Sequence, residues 1–162
     1  MNPFESRPIE VANLLNPAFC GEILLRAVTQ YRTTSGRAFP YALAFLVLPI
    51  VLHKRTRESI LLGTRQQLHA WLQEHQDVRV GFAERAKEMV PFANETVMFL
   101  LQLNRLSVND RGELLANRRS RVGQVQTTTE IEDCYNKASI IGRWFARSGA
   151  VENVFAMWGV KP

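Results

Sequence analysis

ALAFLVLPIVLHKRTRESILL, residues 42–62, begins as an uncharged apolar run and changes abruptly into a basic cluster. The apolar part ends at Leu52 and contains Pro49, so it is too short for a membrane-spanning helix, which needs about 20 apolar residues. We expect it to fill the core as a helix that kinks or ends near Pro49, although residues 45–48 also fit a buried strand. The basic segment that follows, from His53 to Arg57, then turns the chain outward.

The N-terminus, the cysteines and the charge limit the class of protein. MNPFESRPIE is polar, and the apolar run begins only near Tyr41, which is not the order of a secretory signal. We therefore expect a cytoplasmic protein. Cys20 and Cys134 belong to no C-x-x-C pair, so we expect them to be small core residues rather than zinc ligands or disulfide partners. The net charge of +5 permits a nucleic-acid or acidic partner without selecting either.

Local signals predict a helix near each end of the chain. Asn16–Pro17 combines a good N-cap with a proline at the first helical position, before an apolar period near 3.6 that ends in the turn cluster 33–36. Thr127 and Glu130 form a capping box before a long helix that ends near Gly149. A short apolar element follows, and we expect the C-terminal apolar residues Trp144, Phe145, Phe155, Met157 and Trp158 to lie in the core, with a partner surface as the alternative.

The middle of the chain predicts helices over 64–75, 78–90 and 92–104, followed by a hairpin over 105–117. Pro91 separates the second helix from the third, and Asn109-Asp110-Arg111-Gly112 is a strong turn signal. This is the order of a winged helix-turn-helix, a fold often used on DNA. The expected fold class is therefore mainly α with a small β-hairpin: a winged helix-turn-helix core with N-terminal and C-terminal helical additions.

A chain of 162 residues with 46% hydrophobic content can bury one core. We expect a single domain, 1–162, made of an N-terminal helical part (1–62), a winged-helix part (63–117) and a C-terminal helix and tail (118–162). The third predicted helix contains VMFLLQL, residues 97–103, which is apolar on every side. Such a helix is typical of a position between lobes or at a protein interface and is poorly suited to reading base edges.

Motifs of catalysis are absent from the sequence. It contains no phosphate-binding glycine loop, nucleophile elbow or zinc-protease pattern, and His69 and His75 have the wrong helical spacing for one metal. His53 is the one candidate for chemistry, because neighbouring cations should lower its pKa. No partner for catalysis accompanies it, so we expect a hinge at the rim of the core, and neither a catalytic residue, a cofactor nor a metal.

Several blocks resemble the middle component of bacterial three-component ABC systems. They are NPAFCGEILLRAVTQY, FLVLPIVLHKRTRESI, LHAWLQEH, VRVGFAERAKEMVPFANETVMFLLQ and the C-terminal GVKP, which together cover nearly the whole chain. The family motifs map onto Asn16, Pro17, Phe19, Leu48, Pro49, His53, Lys54, Thr56, Arg57, Gly81, Phe82 and Arg85.

The resemblance implies a small winged-helix protein encoded beside an SMC-like ABC ATPase and an effector, in anti-phage or anti-plasmid defence of the Lamassu type. No catalytic residues come with the family, so it implies a non-enzymatic adaptor that docks on the ATPase and helps to hold or regulate an effector nuclease. The residues that we expect to pack or dock are His53, Lys54, Arg55, Arg57, Phe82 and Arg85. The effector, the trigger, the docking surface and the stoichiometry do not follow from the sequence.

The alternative is a DNA-binding winged helix that acts as a transcriptional regulator. In it, Arg111 at the wing tip and Arg118, Arg119 and Arg121 in the connector would hold phosphates. A short run of arginines is more often a solvated linker. Direct contact with DNA within the complex would also be compatible with the adaptor role.

Overall fold

α1 spans Pro17–Ser35 in the computed structural model, which describes residues 15–117 and 127–162. It begins where the Asn–Pro signal predicts, because the side-chain oxygen of Asn16 accepts a hydrogen bond from the backbone N–H of Ala18 at 2.8 Å. It ends at Gly36, whose φ of 71° permits a left-handed cap with its N–H bonded to the Arg32 carbonyl. The first predicted helix is therefore confirmed at both ends.

The other elements follow in chain order. They are a 3-10 turn Tyr41–Leu43, α2 Ala44–Val51, α3 Lys54–Ser59, α4 Leu68–Glu74, a 3-10 turn Gln76–Arg79, α5 Phe82–Gln102, β1 Leu106–Val108, β2 Leu114–Ala116, α6 Thr129–Arg147 and α7 Val151–Met157. The structure is mainly helical with a small antiparallel hairpin, which confirms that part of the predicted fold class.

α1 and α6 form the most extensive helix pair of the fold. Gly142 of α6 lies directly against Ala27 of α1, and a Cβ added at Gly142 would be 2.3 Å from the Ala27 carbonyl oxygen. The missing side chain lets the two backbones approach closely. α1 also packs against α5 and α2, so the core is built around it.

The apolar run of the opening stretch forms α2, which confirms a helix rather than a strand. Every residue of α2 except Phe45 is buried, and the helix continues for two residues beyond Pro49 before it ends at Val51. Among residues 15–117 and 127–162, none of the helices combines the length and the apolar character that a transmembrane span requires. The run fills the core, as its length predicted.

The predicted break at Pro91 is wrong, since α5 runs through it as one helix. Ala86, Ala93, Val97 and Leu100 are buried and form one stripe that extends across the proline, so packing on α1 and α2 keeps the helix continuous. The expected helices 78–90 and 92–104 are thus a single element, and Asp77 belongs to a 3-10 turn rather than capping a long helix. The winged helix-turn-helix arrangement is not confirmed by this order.

The end of α5 is also less central than its apolar sequence predicted. Val97 and Leu100 are buried, but Met98 and Leu103 are each 55% exposed. This part of α5 is therefore amphipathic, with Met98 left on the surface and Leu103 exposed just after its end.

The hairpin is confirmed close to its predicted position. Leu106 pairs with Ala116 and Val108 with Leu114, while the side chain of Asn109 accepts hydrogen bonds from the N–H groups of Arg111 and Glu113. An additional bridge joins Leu114 to Phe39 at the entrance of the 3-10 turn before α2. The hairpin is in this way fixed to the N-terminal part of the fold.

The C-terminal aromatic residues lie in the core as expected. Trp71, Trp144 and Trp158 form one tryptophan cluster, with ring centroids 5.0 Å apart for Trp71–Trp144 and 6.2 Å for Trp71–Trp158. Phe145 and Phe155 are also buried, whereas Met157 is half-buried.

The cap of α6 is Thr128, one residue after the predicted Thr127, and its hydroxyl accepts a hydrogen bond from the Ile131 N–H. Cys20 and Cys134 are both buried, as predicted for small core residues.

Candidate docking surface

His53 marks the point where the apolar run meets the basic segment. It follows α2 and serves as the N-cap of α3, with its Nδ1 accepting a hydrogen bond from the Thr56 N–H at 3.4 Å. The Thr56 hydroxyl lies 2.7 Å from the same nitrogen. The imidazole therefore closes a tight turn between two short helices, which agrees with a hinge at the rim of the core.

The surroundings of His53 favour its neutral form. Burial is the largest cause that lowers its pKa, and the positive charges of Arg85 and Arg55 lower the pKa further. The sequence predicted this direction from neighbouring cations. It did not predict that burial dominates or that Arg85, from α5, supplies one of the charges. A neutral His53 keeps Nδ1 free to accept the capping hydrogen bond.

Arg57 lies inside the protein rather than on the partner-facing edge. Its side chain is 5% exposed, and its guanidinium donates to the Val51 carbonyl at 2.9 Å, to Glu130 at 3.0 Å and to Asp133 at 3.2 Å. It thereby satisfies a carbonyl at the end of α2 and joins α3 to the first turns of α6. This burial favours packing over direct contact with a partner, and docking through Arg57 remains a prediction.

Lys137 is a second buried cation, which the sequence reasoning missed. Its ammonium group donates to the Ile60 carbonyl and lies 3.5 Å from Asp133, so Asp133 stands between the two buried cations. The available signal was a lysine four residues after an aspartate, next to Ala138 on the apolar face of α6. α3 is thus connected to α6 at Arg57 and at its C-cap residue Ile60.

Phe82 and Arg85 form the α5 side of the rim. Phe82 is fully buried, with its ring centroid 4.4 Å from that of Trp158, which also favours packing, and its docking role remains a prediction. The Arg85 guanidinium carbon lies 5.4 Å from the centre of the Phe82 ring, and its Nε donates to the Pro49 carbonyl at 3.3 Å. Burial lowers the Arg85 pKa, and its buried Nη2 has no hydrogen-bond partner among the described residues.

Lys54 and Arg55 are the exposed members of the predicted docking set. Their side chains are 73% and 77% exposed, and they form surface ion pairs with Glu58 at 3.8 Å and with Asp77 at 3.0 Å. With His53 and the half-buried Arg85 they form a surface that we call the basic rim. It is suited to bind an anionic group, since exposed pairs of this kind exchange partners at little cost.

Arg111 and the connector arginines are not brought together by the structure. Arg111 is exposed in the hairpin turn, and its backbone N–H donates to the Asn109 side chain. Arg118, Arg119 and Arg121 lie outside the described residues. Of the four predicted phosphate contacts, only Arg111 lies in the part of the chain that the structure describes.

In the described part of the chain, metal-binding residue types do not cluster and Cys134 is a buried thiol. Within it there is no group of three or more His, Cys, Asp or Glu side chains that could hold a metal ion. The pKa of Cys134 is raised, mainly by burial, so its thiol stays protonated and is a poor nucleophile.

Comparison with known proteins finds one family. Residues 4–162 match the model of the ABC-three component (ABC-3C) system Middle Component 3. No curated protein and no solved structure shows a significant match to the chain.

Proposed function

We propose that the chain is a non-enzymatic adaptor of a defence system. The premise is that it belongs to the ABC-three component system Middle Component 3 family. In this role it docks on an SMC-like ABC ATPase and helps to hold or regulate an effector nuclease, against phage or plasmids in the manner of Lamassu systems. Its partners are the other components of an ABC-three component system. The proposal implies a cytoplasmic protein, because the DNA that such a system senses lies in the cytoplasm.

The observation that carries the docking part is the basic rim. Lys54 and Arg55 are exposed on α3. The contacts of the buried Arg57 and Lys137 fix this helix to α6. A surface that is already ordered loses little conformational entropy when it binds. We therefore propose that the basic rim meets an acidic surface of the ATPase, which would speed association and fix the orientation of the two proteins.

Co-expression with the genomic neighbours, followed by affinity purification and mass measurement of the complex, tests this proposal. Wild type should recover the ATPase, and Lys54→Glu with Arg55→Glu should lower recovery at least tenfold. Arg32→Glu with Arg37→Glu is the matched control, because it changes the net charge equally at two exposed arginines outside the basic rim. Failure of wild type to recover the ATPase would reject the adaptor. Equal recovery by both double variants would reject only the rim.

A DNA-binding winged helix is the second candidate. The net charge of +5 and the exposed Arg111 at the hairpin turn favour it. Duplex binding by the isolated chain should then weaken steeply between 50 and 200 mM salt, and Arg118→Ala with Arg119→Ala should reduce both the affinity and the salt slope, at about one counterion for each lost phosphate contact. Binding of this kind would make the regulator the better proposal, and salt-independent or absent binding would remove it.

A further inference from the structure

A groove of about 590 Å³ shares none of its lining residues with the basic rim. One wall is the 3-10 turn with the start of α2, the second is the first half of α5, and the third is the C-terminal tail after α7. The residues that matter for its chemistry are Tyr41, Phe45, Lys87, Val90, Val160 and Lys161.

The walls are apolar and partly open to solvent. Tyr41 is 40% exposed and Val90 is 38% exposed. Both therefore leave apolar surface in contact with water, which is unfavourable. Tyr41 is held in place, because its ring packs edge-on against Phe45 at 5.2 Å and its hydroxyl lies 3.0 Å from the Asn94 side-chain oxygen. A fixed apolar surface of this kind is typical of an interaction site.

The exposed face of α5 that lines the groove continues beyond it. Ala83, Lys87, Val90, Asn94 and Met98 follow one another at intervals of three or four residues, so they share one face of the helix. All five are exposed, with Met98 at 55%. This face is about 22 Å long at 1.5 Å per residue, which suits a helix of about four turns better than a small molecule.

The charges at the groove indicate what such a helix carries. The groove is lined by Lys87 and Lys161 and by no acidic residue. Neither lysine forms an ion pair with another residue of the described ranges. An occupant with carboxylates at these two places would complement them. A second copy placed groove to groove would instead bring the same lysines together, because a two-fold interface uses the same patch on both chains.

We propose that the groove binds an amphipathic helix of another component of the system, with an apolar face against Tyr41 and Val90 and carboxylates facing Lys87 and Lys161. This inference rests on the proposed adaptor function and names a second contact for it. The mode is a helix in a groove, in which residues at i, i+3, i+4 and i+7 act as anchors.

Site-specific crosslinking in the assembled complex tests the occupant. A photoreactive benzoylphenylalanine at position 90 should crosslink to one segment of another component that has apolar residues at helical spacing and flanking Asp or Glu. The same group at position 108 is the matched control, because Val108 is 50% exposed but lies on β1, and it should not reach that segment. A crosslink from position 90 to residues 1–14 of the same chain, to a second copy, or to nothing in an intact complex would overturn the proposal.

Charge and shape variants provide an independent test by affinity. Val90→Glu and Lys87→Glu should each weaken binding of the purified partner component at least tenfold, whereas Val108→Glu should not, and all three should retain the wild-type circular dichroism spectrum. Reversing a partner carboxylate to lysine should restore binding to Lys87→Glu. If wild type forms the complex and both groove variants bind normally, only the groove proposal is rejected. If wild type forms no complex, the adaptor function itself is rejected.

Discussion

The Nε of Arg57 lies 3.2 Å from a carboxylate oxygen of Asp133, and this contact between residues 76 apart in sequence joins α3 to α6. Asp133 also lies 3.5 Å from the Lys137 ammonium. One carboxylate thus compensates two buried cations, and a second, from the mostly exposed Glu130, completes the set. The arrangement fixes α3, and with it the basic rim, to α6.

Removal of this bridge should be costly. We expect Arg57→Ala to lower the free energy of unfolding by about 1–3 kcal/mol, because Asp133 loses one of its two cationic partners and the Val51 carbonyl loses its donor. Arg55→Ala, at an exposed pair in the same helix, should cost less than about 1 kcal/mol. Urea unfolding followed by circular dichroism measures both. Similar small losses for the two variants would show that the buried bridge does not stabilise the fold.

The role of His53 can be separated from catalysis by one conservative change. His53→Ala should lower the free energy of unfolding by about 0.5–2 kcal/mol through loss of the N-cap, whereas His53→Asn keeps a capping acceptor and should lose less. His53→Asn should also retain full defence activity in the assembled system, as measured by plaque counts. Inactivity of a stable His53→Asn protein would argue for chemistry at the imidazole.

The same histidine predicts a dependence of stability on pH. Its pKa is lowered in the folded protein, so the unfolded chain binds the proton more strongly. This contribution to stability is present when the pH is above 6.5, the ordinary pKa of histidine. It is lost as the pH falls from there through the lower pKa of His53 in the folded protein. Between pH 7.5 and pH 5, wild type should therefore lose more stability than His53→Asn. An equal loss in the two proteins would contradict the lowered pKa.

Gly142 should be among the positions least tolerant of substitution. Gly142→Ala places a Cβ against the Ala27 carbonyl oxygen, a backbone atom that cannot move without separating α1 from α6. We expect a cost of about 1–3 kcal/mol or more from overpacking, which exceeds the gain in helix propensity. Gly21→Ala is the matched control, because its nearest neighbour is the end of the flexible Leu100 side chain. Thermal unfolding of both should rank Gly142→Ala as the less stable.

Binding through the basic rim should depend on salt. Raising the ionic strength from 0.1 to 0.5 M should slow association with the ATPase, because exposed charges are screened beyond about 10 Å at 0.1 M salt and at shorter range as the salt rises. Lys54→Glu with Arg55→Glu should remove most of this dependence. Stopped-flow or surface binding kinetics would measure it. A salt-independent association rate for wild type would contradict an electrostatic role for Lys54 and Arg55.

Local signals predicted the parts of the fold that local interactions determine. Asn16 and Pro17 predicted the start of α1, and Asn109 to Gly112 predicted the hairpin, because a cap or a turn depends on neighbours in sequence. Pro91 was misleading for the same reason. Proline disfavours a helix interior by about 3 kcal/mol on local grounds, but the buried stripe on both sides of it is a tertiary effect.

The composition of the candidate surface was less predictable. Arg57 and Phe82 were grouped with Lys54 and Arg55 because all four lie in distinctive blocks, yet burial divides them into two supporting and two exposed residues. The partners that bury Arg57 are Glu130 and Asp133, far along the chain, and no spacing rule connects them to it. The groove was equally hidden, because its walls come from three separate parts of the sequence.

The tryptophan cluster provides an optical reporter of the C-terminal tail. All three tryptophans of the chain belong to it, so the intrinsic emission comes from one place. Trp158 immediately precedes Gly159, Val160 and Lys161, which line the groove. Occupation of the groove should therefore shift or quench the fluorescence of the unlabelled protein, which would allow a partner peptide to be titrated without a dye.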